Sequence, residues 1–426
     1  MSIRQISMAV TLACACVSAA LAQTATATPS VLRLEQVLQG ARNNLDVQFS
    51  NELAAAARAD IVSADHAPLP VLTTKASQMD LQHGLGRGSV LNEKRIDKSL
   101  GVDWTWERGN KRALRTLSAQ RAADAAQADV DDTQVLQLQA GLAGFYDLLA
   151  AQERLAEVRA ISQSASQLAA TAAQRVRAGD LAAQDAARTE IEAQRAQGDV
   201  RLAELERQRA SAALSQVLGR SPASPLEVAQ DWPALTPPDT GTDLGAVVDA
   251  RADVRAAQAR VDAAQAALDN AQALTRSDIT VGASLDHYPG TSTRLLELRL
   301  QMPLQTHYAY QGEIARALAG LNQARTQLER VRLNALLELQ SLQQSLLGTL
   351  AQARSYETEI LPRARQVAAG AELAYSKGAI PLVDLLDARR TLRATLIEAV
   401  SARADHARAQ GLWLLRTQPQ RLLATP

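Results

Sequence analysis

Between Pro70 and Pro222 the chain has no proline, and within that stretch residues 111 to 178 read as one nearly unbroken helix. At 1.5 Å per residue such a helix is roughly 100 Å long, far beyond an ordinary globular helix. No single globular core holds an element of that length, so the molecule must be extended. Residue usage agrees. Hydrophobic residues make up 47% of the 426, yet Ala carries much of that share and there are only two Phe and four Trp. Small side chains suit thin layers of closely approaching helices better than a thick core.

"RVRAGDLAAQD" punctuates the end of the long run, and a second helix from about 181 to 218 returns along it. Gly179 fits a helix C-terminal cap, with Asp180 or Asp185 near the next N-terminus. The second half repeats the plan. "AYSKGAIPLVDLLDARRTL" aligns with "RVRAGDLAAQDAARTEI", matching Gly378 to Gly179 and Asp384 to Asp185, so a second hairpin turns at about 376–381. "ARNNLDVQ" from Ala41 and "ARADVRAA" from Ala250 are alike, and each opens a helix that runs into a strand region. A Pro-rich linker over 221–243 separates a first unit, 23–220, from a second, 244–416, and 417–426 forms a tail. Self-similarity on this scale is a tandem duplication of a whole unit, not a short solenoid repeat.

Each unit holds two strand candidates. In "LELRLQMPL", residues 296–304, Leu296, Leu298, Leu300, Met302 and Leu304 alternate with Glu297, Arg299, Gln301 and Pro303, the period of a strand with one apolar and one polar face. The same alternation marks Leu100, Val102, Trp104 and Trp106, and again Ile279, Val281, Ala283 and Leu285. Strands are expected at about 69–81, 98–107, 277–288 and 294–304; the first alternates poorly. A soluble sheet with one wet face is one reading. The other is a membrane barrel, which needs strands of roughly 9 to 11 residues. Four strands do not close a barrel and an open edge cannot sit in lipid, so that reading requires several chains to share one.

The N-terminus bears on the choice. Arg4 precedes an apolar stretch from Met8 to Leu21, and Ala20-Leu21-Ala22 offers a small-x-small cleavage site, so residues 1–22 read as a signal peptide. An uncleaved anchor is the competing reading, but it normally needs roughly 18 apolar residues. Cys14 and Cys16 both lie in this segment, and lipidation would need a cleaner motif than Thr11-Leu12-Ala13 before the Cys. The processed chain then has no thiol and no disulfide. No later apolar run is long enough to span a bilayer as a helix. Export, helical struts and alternating strands together favour the barrel.

Other functional classes find little support. The 45 basic and 45 acidic side chains cancel, which leaves no overall field for nucleic acid. His66, His83, His287, His307 and His406 are scattered without ligand spacing. There is no nucleophile motif and no phosphate-binding Gly loop, so neither an enzyme nor a cofactor is expected. Asp131-Asp132 on the long helix reads as a solvated face. A periplasmic coiled-coil scaffold would explain the helices but not four duplicated strands.

Duplicated halves, strand pairs, long hairpins and Gly-containing turns together resemble the TolC family of outer-membrane efflux channels, over almost all of the chain after residue 22. "WERGNKR" (106–112), "QMPLQTHYAYQGEIARA" (301–317) and "LPRARQVAAGAELAYSKGAIPLVDLLDARRTL" (361–392) are similar to segments of CzcC-like members. The resemblance implies a mainly α fold with a transmembrane β-barrel contribution: a homotrimer whose twelve-stranded barrel stands in outer-membrane lipid on a periplasmic helical tunnel. It implies docking to a periplasmic adaptor and an inner-membrane RND-type pump, and passive export of divalent heavy-metal cations. Drug efflux and type I protein secretion use the same architecture and stand as alternative cargoes.

By that resemblance Asp384 and Asp387 match the family's aperture aspartates, which would form stacked carboxylate rings attracting cations. Three apart, they share one helix face; they also read as acids favoured near a helix N-terminus after Pro381. Asp185 and Tyr375 match a latch at the closed tip, whose usual basic residue is replaced here by Ile380. Arg175 and Lys377 lie near the tips as candidate substitutes or as solvated helix ends. The turns at Gly179 and Gly378 match the adaptor-docking tips. Asp103, Glu107, Glu297 and Arg299 have the parity of lumen-facing barrel residues.

Overall fold

A computed structural model describes residues 31–79, 82–84, 95–221, 225–237 and 241–418. The expected signal peptide and most of the C-terminal tail lie outside the described residues. The elements run β1 (Val31–Leu32), α1 (Leu34–Arg42), α2 (Leu45–Ala64), β2 (Val71–Ser77), β3 (Asp97–Trp106), α3 (Lys111–Arg177) and α4 (Ala183–Val217). The second half follows with β4 (Glu227–Val228), α5 (Leu244–Ala250), α6 (Ala252–Ala273), β5 (Ile279–Tyr288), β6 (Ser292–Gln301), α7 (Gln311–Ser355), a π-helical turn (Tyr356–Ile360), α8 (Leu361–Ser376) and α9 (Leu382–Thr417).

The long helix begins and ends for local reasons repeated in both halves. Asn110 and Tyr310, the residues before α3 and α7, both adopt left-handed backbone (φ 55° and 61°), which swings the chain out of the sheet into a strut. At the far end Gly179 (φ 83°) and Gly378 (φ 72°) close the struts. Gly179 N–H donates to Val176 O and Asp180 N–H to Arg175 O; Gly378 N–H donates to Tyr375 O and Ala379 N–H to Ala374 O. These paired bonds satisfy the last carbonyls, and the positive φ suits Gly because it has no Cβ. The second strut differs in one way. Pro362 has no N–H to donate and its ring crowds the preceding turn, and the helix widens into the π turn just before it.

β2, β3, β5 and β6 form one antiparallel sheet in that order, with the β3–β5 seam joining the two halves of the duplication. Two strands are shorter than the alternation suggests. β2 covers Val71–Ser77 rather than 69–81, of which 80 and 81 are outside the described residues. β6 stops at Gln301, short of Pro303, which has no N–H for a ladder. Below the sheet α3 packs against α2, α4, α6 and α9, while α7 packs against α6 and α9.

The densest core lies midway along the struts. Leu138, Leu142, Phe145, Leu148 and Leu149 of α3 are buried with Val37 and Leu38 of α1, Leu214 of α4, and Leu32 and Val228 of the short parallel pair β1–β4. The Pro-rich linker therefore does more than separate the halves. Its described part straps across the bundle: Gln152 donates to Val228 O and accepts from Val228 N, standing in for a neighbouring strand. Trp232 donates to Glu153, stacks on Tyr146 and lies under Arg403. Burial pushes the Tyr146 phenol up to about 12.

Candidate functional site

The sheet has two unlike faces. Leu100, Val102, Trp104 and Trp106 of β3 pair in register with Leu285, Ala283, Val281 and Ile279 of β5, and β6 adds Leu296, Leu298 and Leu300 on the same side. Within the single chain this face is open: Leu298 and Leu300 are each 75% exposed and Trp106 is 65% exposed. A contiguous apolar surface of this size marks a place where something other than water is met. The helices leave the sheet at one end only, and the turn between Tyr288 and Ser292 lies at the other.

The opposite face is polar and internally bonded. Asp103 on β3, Gly282 on β5 and Arg299 on β6 stand in one row. Arg299 Nη2 donates to Asp103 Oδ1 at 3.0 Å, and Thr73 Oγ1 donates to Asp103 Oδ2 at 2.7 Å. The arginine reaches its partner across an intervening strand because the residue between them has no side chain. A Cβ built on Gly282 would lie 2.1 Å from Asp103 Oδ1. Gly101 is crowded too, with a Cβ built there 2.8 Å from Ser284 Cβ. Arg299 also lies 3.5 Å from Glu297, and Ser284 and Asp286 are buried on this face.

Three of the four residues given lumen parity thus share one face. Glu107 does not. The strand ends at Trp106, and Glu107 turns to the helices, where Arg115 Nη1 donates to it at 2.7 Å while Nε donates to the Ala64 carbonyl and Nη2 to the His66 carbonyl. The bond to Glu107 raises the Arg115 pKa further. This corrects its expected position: it holds the junction of sheet and struts.

At the far end the two hairpin tips meet. Leu382, Leu385 and Leu386 of α9 are buried against Leu168, Ala371 and Tyr375. Asp384 and Asp387 occupy the other side of α9 and are exposed. Pro381 is the residue before the helix, and Asp384 falls in the first turn. Asp185 and Tyr375 are not brought together. Asp185 pairs with Arg188 of its own helix at 3.7 Å, while the Arg175 guanidinium sits 5.8 Å over the Tyr375 ring. Arg175 and Tyr375 thereby link the first hairpin to the second. Lys377, Gly179 and Gly378 are exposed at the tips, with nothing within 4 Å of a Cβ built on either glycine.

A charged cluster that the sequence reading missed lies at the midsection. Arg251, its side chain 3% exposed, donates to Asp253 at 2.8 Å and to Glu338 at 2.6 Å, and Arg416 pairs with Glu338 at 3.2 Å. Burial opposes charge on Asp253, but its bonds to Arg251 hold it below the usual carboxylate range. Asp132 is half-buried rather than on a solvated face, and burial and the Asp253 charge push its carboxyl upward. Among the described residues no three His, Cys, Asp or Glu side chains converge to ligate a metal, and no helix is long and apolar enough to cross a membrane.

No protein-family model matches the chain. The cobalt-zinc-cadmium resistance protein CzcC of Cupriavidus metallidurans is 24% identical over 286 residues, 67% of this chain and 68% of that protein. Among solved structures, the outer membrane protein VceC of Vibrio cholerae aligns over 90% of this chain and 95% of its own, with a TM-score of 0.73 and 16% identity. The CmeC outer membrane channel of Campylobacter jejuni aligns over 90% of this chain and 85% of its own, with a TM-score of 0.75 and 12% identity. The fold is that of these channels.

Proposed function

We infer that this chain is a TolC-family outer-membrane channel, the passive exit duct of a tripartite efflux system, and that its cargo is divalent heavy-metal cations. The observation that carries the reading is the two-faced sheet raised on long struts. Its apolar face suits lipid, and its ion-paired face suits a water-filled lumen.

Closure requires further copies of the chain. β2 and β6 are open edges, and lipid leaves no partner for their backbone groups. Copies standing the same way up would bring β6 of one antiparallel to β2 of the next, continuing the order already present. The struts offer matching flanks. α2 exposes Leu45, Phe49, Leu53 and Val62, while α7 exposes Leu318, Leu333 and Leu337. Val62 and Leu318 lie toward the sheet-side ends of α2 and α7. Head-to-tail contacts of this kind make rings, and a homotrimer gives a barrel of twelve strands.

In that ring Asp384 and Asp387 would face the axis at the periplasmic end and draw cations toward the bore. The tips at Arg175, Gly179, Lys377 and Gly378 would receive the periplasmic adaptor, with an RND-type inner-membrane pump supplying energy. Resistance to cobalt, zinc and cadmium, named for the curated relative, supports a metal cargo. No residue is assigned a catalytic step.

Cysteine labelling of the reconstituted protein, with Cys14 and Cys16 absent, tests the reading. Leu298→Cys should react only with a lipid-soluble thiol reagent, and Arg299→Cys with a membrane-impermeant one. The opposite pattern would exclude this orientation of the barrel wall.

A further inference from the structure

The lipid-compatible face of the sheet ends, on the side away from the struts, in a row of basic residues. Lys98 on β3 is opposite His287 on β5 in register. A bulge beyond Asp286 sets Thr293 and Arg294 of β6 against His287, whose Nδ1 lies 3.1 Å from the Thr293 carbonyl. By alternation Lys98 continues the line of Trp104, Val102 and Leu100; His287 continues Val281, Ala283 and Leu285; Arg294 continues Leu300, Leu298 and Leu296. The three form the next row after Leu100, Leu285 and Leu296, on the same face.

Among the described residues of the sheet this row has no counter-charge on its own face. No Asp or Glu has outward parity in β2, β3, β5 or β6. Lys98 Nζ and His287 Nε2 are buried and have no hydrogen-bond partner among the described residues. An ammonium left that way is costly, and an anion that bonds it removes the cost. The apolar band below the row, from Lys98 down to Trp106, is about 26 Å along the strand at roughly 3.3 Å per residue, which at a barrel's strand tilt gives about 20 Å of height, most of a lipid belt. Lys98 and Arg294, separated by one strand, stand roughly 10 Å apart.

We propose that Lys98, His287 and Arg294 bind the phosphates of a phosphorylated glycolipid headgroup in the outer leaflet, with its acyl chains lying on Leu100, Leu285 and Leu296. The proposal rests on the reading of the sheet as a barrel wall. A headgroup with separated phosphates would bridge the two cations, and the apolar rows favour a lipid-borne phosphate over a free one.

Native mass spectrometry of the delipidated, detergent-purified assembly provides the test, with bisphosphorylated lipid A as the probe. Dephosphorylated lipid A, phosphatidylglycerol and inorganic pyrophosphate serve as comparisons. Retention of the bisphosphorylated probe is expected to exceed each comparison at least tenfold. It should fall at least tenfold in K98Q/R294Q and be kept in K98R/R294K. Unchanged retention in K98Q/R294Q, or equal retention of any comparison, overturns the proposal. The cysteine labelling pattern, repeated in K98Q/R294Q, separates loss of this site from failure of the barrel assignment.

Discussion

Gly282→Ala tests the ion pair that crosses a strand. The new Cβ would stand 2.1 Å from Asp103 Oδ1, where ordinary contact requires roughly 3.4 Å or more. Asp103 must therefore retreat by roughly 1 Å, which takes its 3.0 Å bond from Arg299 beyond hydrogen-bonding range. A charge-assisted bond contributes about 1.5–3 kcal/mol where it is buried. Here Arg299 and Asp103 are 37% and 23% exposed, and a wet lumen reduces the loss to about 1 kcal/mol. Replacing a strand glycine returns about 0.5–1 kcal/mol of backbone entropy. The single variant is thus expected near neutral. In an Asp103→Ala background, with the clash and the bond both gone, the same change should stabilise by about 0.5–1 kcal/mol. The decisive quantity is a coupling of about 1 kcal/mol between the two positions. Denaturant unfolding in detergent, followed by the fluorescence of Trp104 and Trp106 on the opposite face, measures it across the four variants. Where refolding is incomplete, unfolding rates at one denaturant concentration replace midpoints. An equal effect of Gly282→Ala in both backgrounds would refute the idea that this glycine exists to let Arg299 reach Asp103.

Three further outcomes are expected. Asp384→Asn with Asp387→Asn should lower cation selectivity and block by multivalent cations in planar bilayers while unitary conductance changes less; full selectivity in the double variant would reduce both residues to helix-end acids. Tyr375→Leu should release Arg175 and cost about 0.5–1 kcal/mol per chain, raising the open probability of the reconstituted pore roughly two- to five-fold per subunit affected. Tyr375→Phe, which keeps the ring face, should not. His406 is fully buried, and burial followed by the nearby Arg354 charge lowers its pKa below the usual imidazole value. The unfolded chain then binds the proton more readily, so stability is full above about pH 6.5 and falls as the pH drops toward the folded pKa. His406→Leu should flatten the part of the pH dependence that sets in as the pH falls below about 6.5, read from denaturation midpoints.

Much of this architecture could be read from periodicity because its elements are long or strictly alternating. Absence of proline marks α3, and Gly179 and Gly378 mark both turns, since a helix end needing positive φ leaves few choices of residue. Leu298 and Arg299 fall on opposite faces because a strand has a period of two. The unread features depend on contacts distant in sequence. Nothing local to Glu107 announces Arg115 as its partner, and nothing in the Pro-rich linker shows that Gln152 will clasp Val228. The charge cluster of Arg251, Asp253, Glu338 and Arg416 joins residues from three separate helices. Glycine at polar parity in "GVDWTW" and "ITVGASLD" was a usable signal for the crowded row, because a strand glycine often marks close approach of another group. At the tip the motif gave the residues, but the partner of Tyr375 came from the other hairpin.

The two struts also act as a ruler. Lys111 and Gln311 open them 200 positions apart, and Arg177 and Ser376 close them 199 apart, so the copies match to within one residue. Each residue gained or lost in one strut alone would displace its tip by about 1.5 Å and rotate its packed face by about 100°. A length change is therefore tolerable only as a matched event in both copies and in the returning helices. A length change in the strand connections or in the strap between the halves would shift neither tip. The distance bridged beneath the membrane is in this way protected by the duplication itself, because each copy holds the other to the same measure.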